Sequence, residues 1–102
     1  MAAYVISEVT ARDPEAFANY RLHAEESIRQ HGGRYLVRGA QTELLEGERD
    51  SQMLVIVEFP SLEQARTWYR SDEYAVALQF RDKGLSRILT LVDGVPASAG
   101  TP

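Results

Sequence analysis

Two histidines, His23 and His31, are the first candidates for acid–base chemistry, because imidazole titrates near neutral pH without any perturbation. His31 falls in the last turn of a predicted helix, on its apolar side. Satisfying terminal carbonyl groups is the simpler interpretation there. His23 stands close to Glu25 and Glu26 and is expected on the solvated surface. Cysteine is absent, and neither His-x-x-x-His nor His-x-His spacing occurs, so the sequence predicts no metal site.

Charged residues on predicted strands form a second group. Glu8, Glu46 and Glu58 lie at or near strand ends, and Arg38 also lies on a strand. Such a charge must be paired or must border a cavity, because burying it alone is costly. We favour an ion pair or rim position at a dimer interface. The alternative is a pocket in which Arg38 and a glutamate bind a small acidic or hydroxylated ligand. A bulge at Gly39 would reverse the face of Glu46, so its side of the sheet stays open.

Aromatic residues form a third group, with Tyr20 on the first predicted helix and Trp68, Tyr69 and Tyr74 in the second helical region. Aromatic side chains at helical spacing usually belong to the core, although their polar groups often border cavities. If Arg38 faces the helices, it should meet this cluster and form a lining suited to a planar acid or a phenol. If it faces a partner subunit, it should pair with a glutamate across the interface. The candidate pocket residues are Tyr20, Arg38, Glu58, Trp68, Tyr69 and Tyr74.

The composition of the 102 residues disfavours several classes of protein. Hydrophobic residues make up 44% and charged residues 25%, which is typical of a globular domain rather than a disordered chain. The formal charge of −4, with arginines interleaved among acids, argues against nucleic-acid binding. No apolar run reaches the ~18–20 residues of a membrane span and no signal-peptide pattern is present, so a cytoplasmic protein is expected. Phosphate-binding glycine motifs and nucleophilic serine elbows do not occur.

The positioning elements follow from periodicity, caps and breakers. Strands are predicted over residues 3–10, 34–38, 42–46, 52–59 and 86–93, and helices from the Asp13 cap to about His31, over 62–70 and over 72–83. Residues 1–94 are predicted to form one domain, and residues 95–102 a disordered tail.

The βαββαβ order predicts an α+β, ferredoxin-like fold, an antiparallel sheet with helices on one face. Two strands are apolar on both sides. Leu54 and Ile56 alternate with inward residues of the third strand, and Ile88 and Val92 do so in the last. An antiparallel sheet with one wet face should alternate apolar and polar residues. We therefore predict a homodimer that packs through its sheet faces.

Several motifs resemble one bacterial family, in this order: Gly32-Gly33-Arg34-Tyr35-Leu36-Val37-Arg38-Gly39, Leu45-Glu46-Gly47, Val57-Glu58-Phe59-Pro60-Ser61, Ala65 with Trp68-Tyr69, Ser71-Asp72-Glu73-Tyr74 and Val92-Asp93-Gly94. They resemble the family known as domain of unknown function 1330, over about residues 4–94. Ala40 is a departure, since the family more often has a second glycine there. The resemblance implies the dimeric α/β barrel fold, in which two ferredoxin-like sheets pack face to face.

The resemblance also raises two hypotheses about function. The first is a small-molecule-binding protein or cofactor-free enzyme, monooxygenase- or isomerase-like, with a pocket between helices and sheet for a small aromatic or acidic ligand. The alternative is a non-catalytic dimeric module that binds a metabolite or another protein. Neither hypothesis calls for a cofactor, and whether the protein is an enzyme stays open.

Overall fold

The computed structural model describes residues 1–49 and 53–95. Its elements are β1 Ala3–Ala11, α1 Pro14–Gln30, β2 Arg34–Ala40, β3 Met53–Phe59, α2 Leu62–Tyr69, α3 Asp72–Leu78, α4 Arg81–Gly84 and β4 Leu85–Asp93. The four strands form one antiparallel sheet in the order β2-β3-β1-β4, and the helices pack on one face of it. The predicted ferredoxin-like fold is confirmed. Apart from Val95, the predicted tail lies outside the described residues.

Side-chain caps explain where the helices begin. The carboxylate of Asp13 accepts a hydrogen bond from the backbone N–H three residues on (2.8 Å), and Ser61 and Ser71 do the same for α2 and α3 (both 3.1 Å). The side-chain amide of Gln64 donates to the carbonyl of His31 (3.0 Å). The start of α2 is thereby tied to the end of α1, a link between distant parts of the chain.

The strand predicted over residues 42–46 is wrong. The β2 ladder ends where Ala40 pairs with Leu54, and the residues that follow have no strand partner in the described part of the chain. Glu46 is therefore exposed in an irregular segment and not on a sheet face.

The helix predicted over residues 72–83 is divided into α3 and α4. The N–H groups of Gln79 and Phe80 bond to carbonyls three residues back (3.3 and 3.0 Å), which tightens the chain between the two helices. The Phe80 ring stacks on His23, with 5.6 Å between centroids. His23 was expected on the solvated surface, and this contact leaves it half-buried instead. No described helix has the length and apolarity that crossing a membrane requires.

The predicted bulge at Gly39 is confirmed and decides which way Arg38 points. Gly39 has a φ of +66°, a conformation that glycine adopts without strain, and the β2–β3 register shifts between Arg38 and Ala40. Arg38 pairs with Val55, which in turn lies in register with the buried Ser7. Its side chain is therefore on the helix-facing side of the sheet.

The two sides of the sheet are both apolar, as predicted. The helix-facing side carries the core, which includes Val5, Val9, Val57, Phe59, Trp68 and Tyr74. The other side, here called the open sheet face, carries Tyr4, Ile6, Val37, Leu54, Ile56, Ile88 and Val92. No described helix covers this face, and Ile88 is 64% exposed.

Candidate functional site

A cavity of about 70 Å³ lies between α1 and the helix-facing side of the sheet. Its walls are mostly apolar, and its lining includes Val9, Phe17 and Met53. Two of the lining side chains are small, Ala24 from α1 and Ser7 from β1, and both are buried. Because neither fills the gap between helix and sheet, space remains in an otherwise packed interior.

Three arginines line this cavity, and no acidic residue of the described chain does. Arg21 comes from α1, Arg38 from β2 and Arg87 from β4. β2 and β4 are the two edge strands, so the sheet brings a guanidinium to the cavity from each edge. Their surroundings differ, and this difference decides which of them can bind a ligand.

Arg38 is neutralised within the chain. Its two terminal nitrogens donate to both carboxylate oxygens of Glu25 on α1 (3.0 and 2.8 Å), and its guanidinium lies 4.5 Å from the centroid of Tyr35. The hydrogen bonds and charge of Arg38 hold the pKa of Glu25 below its usual range. Burial raises the pKa of Tyr35 to about 12. Arg38 was expected to contact Tyr20, Trp68, Tyr69 or Tyr74. The aromatic ring on which its guanidinium packs is instead that of Tyr35.

The Glu25–Arg38 pair makes stability depend on pH. The folded-state pKa of Glu25 lies below its ordinary value of 4.5, so the stabilisation is fully present above that pH. It is lost as the pH falls through the folded-state pKa. We expect Glu25→Gln to be less stable than the wild type in urea unfolding at about pH 7, and this difference to shrink at about pH 3. An equal difference at both pH values would contradict the pairing.

Arg87 has no carboxylate partner among the described residues. It is half-buried on β4, between Leu85 and Leu89 on the helix-facing side. Its guanidinium donates to the Tyr20 hydroxyl and lies 5.2 and 5.9 Å from the ring centroids of Tyr20 and Tyr74. A guanidinium has five N–H donors, so Arg87 keeps donors for an anionic ligand.

The two tyrosines behind Arg87 form a buried hydrogen-bonded pair. Their hydroxyl oxygens are 2.6 Å apart, Tyr74 is fully buried, and burial raises its pKa above the usual range. Since no other acceptor for the Tyr74 hydroxyl occurs in the described residues, we assign its proton to the bond with Tyr20. Tyr20 then accepts from Tyr74 and from Arg87, so its own O–H can donate to a further acceptor, and the side chain of Tyr20 lines the cavity.

Trp68 closes another wall of the cavity and is held on several sides. Its indole N–H donates to Ser27 (3.0 Å), whose hydroxyl donates to the carbonyl of Ala24 (2.8 Å). Its ring lies 4.1 Å from Tyr74 and 5.3 Å from Phe59, centroid to centroid. These contacts make Trp68 a rigid part of the lining and satisfy its polar group.

The structure brings Tyr20, Arg38 and Trp68 together around the cavity and places Tyr74 directly behind Tyr20. Two other candidates lie elsewhere. Glu58 is on the open sheet face, where it pairs with Arg34 (2.7 Å), because its strand position alternates away from the helices. Tyr69 is 44% exposed and lines outer grooves instead of the cavity.

Neither histidine lines the cavity. The ring of His31 bonds to Glu73 of α3 (2.9 Å), and its backbone N–H bonds to carbonyls of the last turn of α1. The described residues contain no group of three or more His, Asp or Glu side chains placed to hold a metal ion.

Sequence reasoning missed Arg87. A signal was present, since Leu85, Arg87, Leu89 and Leu91 alternate along one side of β4 and only Arg87 is charged. A cation in the middle of an apolar alternation must be paired or must border a polar space. The sequence analysis singled out Arg38 instead, because Arg38 belongs to the motif of residues 32–39 that resembles the family.

Fold and site together define the class of this molecule, an α+β protein of ferredoxin-like fold with an arginine-lined cavity between its first helix and its sheet. The chain belongs to the family described as Domain of unknown function (DUF1330), whose profile matches residues 2–95. A search among curated proteins found no match.

Solved structures of similar fold include three from different bacteria. The RPA0582 protein of unknown function from Rhodopseudomonas palustris is 22% identical with a TM-score of 0.75, over 93% of this chain and 83% of that one. SnoaB of Streptomyces nogalater, a cofactor-independent oxygenase, is 11% identical with a TM-score of 0.65, over 94% and 95%. A dimeric protein of unknown function and ferredoxin-like fold from Bacteroides fragilis is 13% identical with a TM-score of 0.57, over 91% and 96%. These similarities concern the fold.

Proposed function

We propose that this protein binds a small anionic molecule with an apolar body in the cavity between α1 and the sheet. The observation that carries this proposal is the charge of the lining: no acid of the described residues lines the cavity, and its Arg87 has no carboxylate partner among those residues. The chain as a whole has a formal charge of −4. A concave site lined by cations attracts anions that are small enough to enter it, even when the protein as a whole is acidic.

Arg87 and Tyr20 supply the specific contacts in this proposal. A guanidinium matches a carboxylate geometrically through two parallel N–H donors, and the Tyr20 hydroxyl adds a third donor beside them. The same donors suit a phenolate or an enolate oxygen. The apolar walls, among them Val5, Val9 and Leu89, would contact the remainder of the ligand.

Paired probes test the proposal. We expect isothermal titration calorimetry to detect hexanoate, and to detect hexanamide at least about tenfold more weakly, because the amide lacks the charge that the arginines recognise. Benzoate and benzamide form a second pair for an aromatic body. If neither acid binds more tightly than its amide, the proposal fails, and the alternative of a module that binds another protein is favoured.

We also propose that the protein forms a homodimer through the open sheet face. Support comes from the apolar residues on that face, Ile6, Leu54, Ile56 and Ile88 among them, which no described element covers. A contiguous apolar surface of this kind is typical of an interface. The Bacteroides fragilis protein of similar fold is described as dimeric.

Sedimentation or light scattering at micromolar concentration should give about twice the chain mass of 11.4 kDa. Ile56→Glu places a charge at the centre of the proposed interface, so this variant should sediment as a monomer. As a matched control, Val76→Glu changes an exposed apolar residue on α3 and should stay dimeric. A wild-type protein that is strictly monomeric would overturn this assembly.

A further inference from the structure

We propose an orientation and a chemical class for the ligand, an inference that rests on the proposed function. The ligand is a short aliphatic carboxylate. Its acid group lies in a surface groove on the β4 side, between Arg12, Arg81 and Arg87, and its tail passes Tyr20 into the cavity.

Arg87 lies at the boundary between two spaces of different character. It lines the apolar cavity, and it also lines a groove of about 510 Å³ on the outer side. The two spaces share Leu85 and Leu89 as well. A molecule that reaches the cavity from this groove therefore passes the Arg87 guanidinium.

The groove is cationic. Arg12, Arg81 and Arg87 line it together with one acid, Asp82. Asp82 pairs with Arg81 (3.2 Å) but its side chain is 93% exposed, so water screens its charge. Arg12 is exposed, and within the described ranges its guanidinium donates to the backbone carbonyl of Asp82 (3.4 Å) and to no carboxylate. An incoming carboxylate thus finds guanidinium donors that no buried acid already occupies.

The opposite side of the cavity offers less to an anion. Glu25 already holds the terminal nitrogens of Arg38 through two hydrogen bonds. Arg21 is exposed and packs over the Phe17 ring, 5.5 Å from its centroid. A carboxylate arriving on this side would have to displace Glu25 or bind the exposed Arg21 alone, whereas on the groove side it meets the half-buried Arg87.

The size of the cavity decides the chemical class of the tail. At about 70 Å³ it has less than half the volume of the ~150 Å³ cavity that holds benzene in an engineered protein core. An aromatic ring therefore exceeds the space, whereas a few methylene groups fit into it.

Arginine variants test where the acid group lies. We expect the double variant Arg12→Gln/Arg81→Gln to weaken hexanoate binding by about threefold to tenfold, as partly screened charges do. Arg29→Gln is the matched control, because it removes an exposed arginine of α1 that lines neither the cavity nor the groove, and it should change binding by less than about twofold. Arg21→Gln, on the other side of the cavity, should weaken binding less than the double variant does. A larger effect of Arg21→Gln than of the double variant would overturn the orientation.

The fluorescence of Trp68 tests where the tail lies, because it is the single tryptophan and lines the cavity. Bromine quenches a neighbouring indole. We expect 6-bromohexanoate at saturation to quench Trp68 at least about twofold more than 2-bromohexanoate, since only the former carries bromine at the tail. Equal quenching, or stronger quenching by the 2-bromo isomer, would overturn the inference. Benzoate bound more tightly than hexanoate would overturn the aliphatic class.

The two proposals fail in different ways. If hexanoate does not bind, or binds no better than hexanamide, the proposed function fails and the orientation fails with it. If hexanoate binds and Arg87→Met abolishes binding, but the groove variants and the bromine positions have no effect, only the orientation is wrong.

Discussion

Replacing Arg87 with methionine is expected to weaken hexanoate binding by about tenfold to a hundredfold, the loss that follows removal of a charged hydrogen-bond donor. The same change should lower the free energy of unfolding by no more than about 2 kcal/mol, because it removes one hydrogen bond and two ring contacts but leaves no carboxylate of the described residues unpaired. Methionine has a similar length and fills the space between Tyr20 and Leu89. Calorimetry and urea unfolding measure the two quantities.

Two further variants separate charge from geometry at this position. Arg87→Lys keeps the charge but loses the planar pair of donors, so its affinity should lie between those of the wild type and Arg87→Met. Tyr20→Phe removes the hydroxyl next to the guanidinium and should weaken binding by a smaller factor than Arg87→Met does. If folded Arg87→Met is markedly less stable than the wild type but binds hexanoate just as tightly, Arg87 is a structural residue and the proposed site is wrong.

Replacing Gly84 with alanine is expected to lower the free energy of unfolding by about 1–3 kcal/mol through overpacking. A Cβ atom at Gly84 would lie 2.9 Å from the backbone carbon of Ala16 and 2.9 Å from the backbone nitrogen of Phe17. Both atoms belong to the first turn of α1, so no side-chain rotation relieves the contact. α1 must move away from α4, and it carries Tyr20 with it.

Lys83→Ala is the matched control, because Lys83 is the exposed neighbour of Gly84 in α4. Its side chain can be removed without bringing any backbone closer, and the change should fall within about 0.5 kcal/mol of the wild type. Urea unfolding of both variants compares them under one condition. Equal stability of Gly84→Ala and Lys83→Ala would show that α1 and α4 are not held as closely as described.

Local residue chemistry was enough to predict most of the secondary structure. The Asp13 and Ser61 caps act within three residues of themselves, and Gly39 forms the predicted bulge. The alternation of Leu54 and Ile56 with inward residues also predicted the two apolar sides of the sheet. The strand predicted over residues 42–46 could not be rejected in this way, because a strand needs a partner strand and local residues do not show whether one is present.

The sequence by itself therefore determined the fold class, because caps, breakers and alternation act over a few residues and agree with one another. Only the tertiary structure decided which charges meet. Arg38 and Glu25 are 13 residues apart, Arg87 and Tyr20 are 67 apart, and Glu58 lies on the opposite side of the sheet from the cavity. The sequence analysis ended the predicted helix at residue 83, whereas the fold places Gly84 against the backbone of α1. Strand order and helix packing bring these distant side chains together, and local sequence patterns do not predict such long-range contacts.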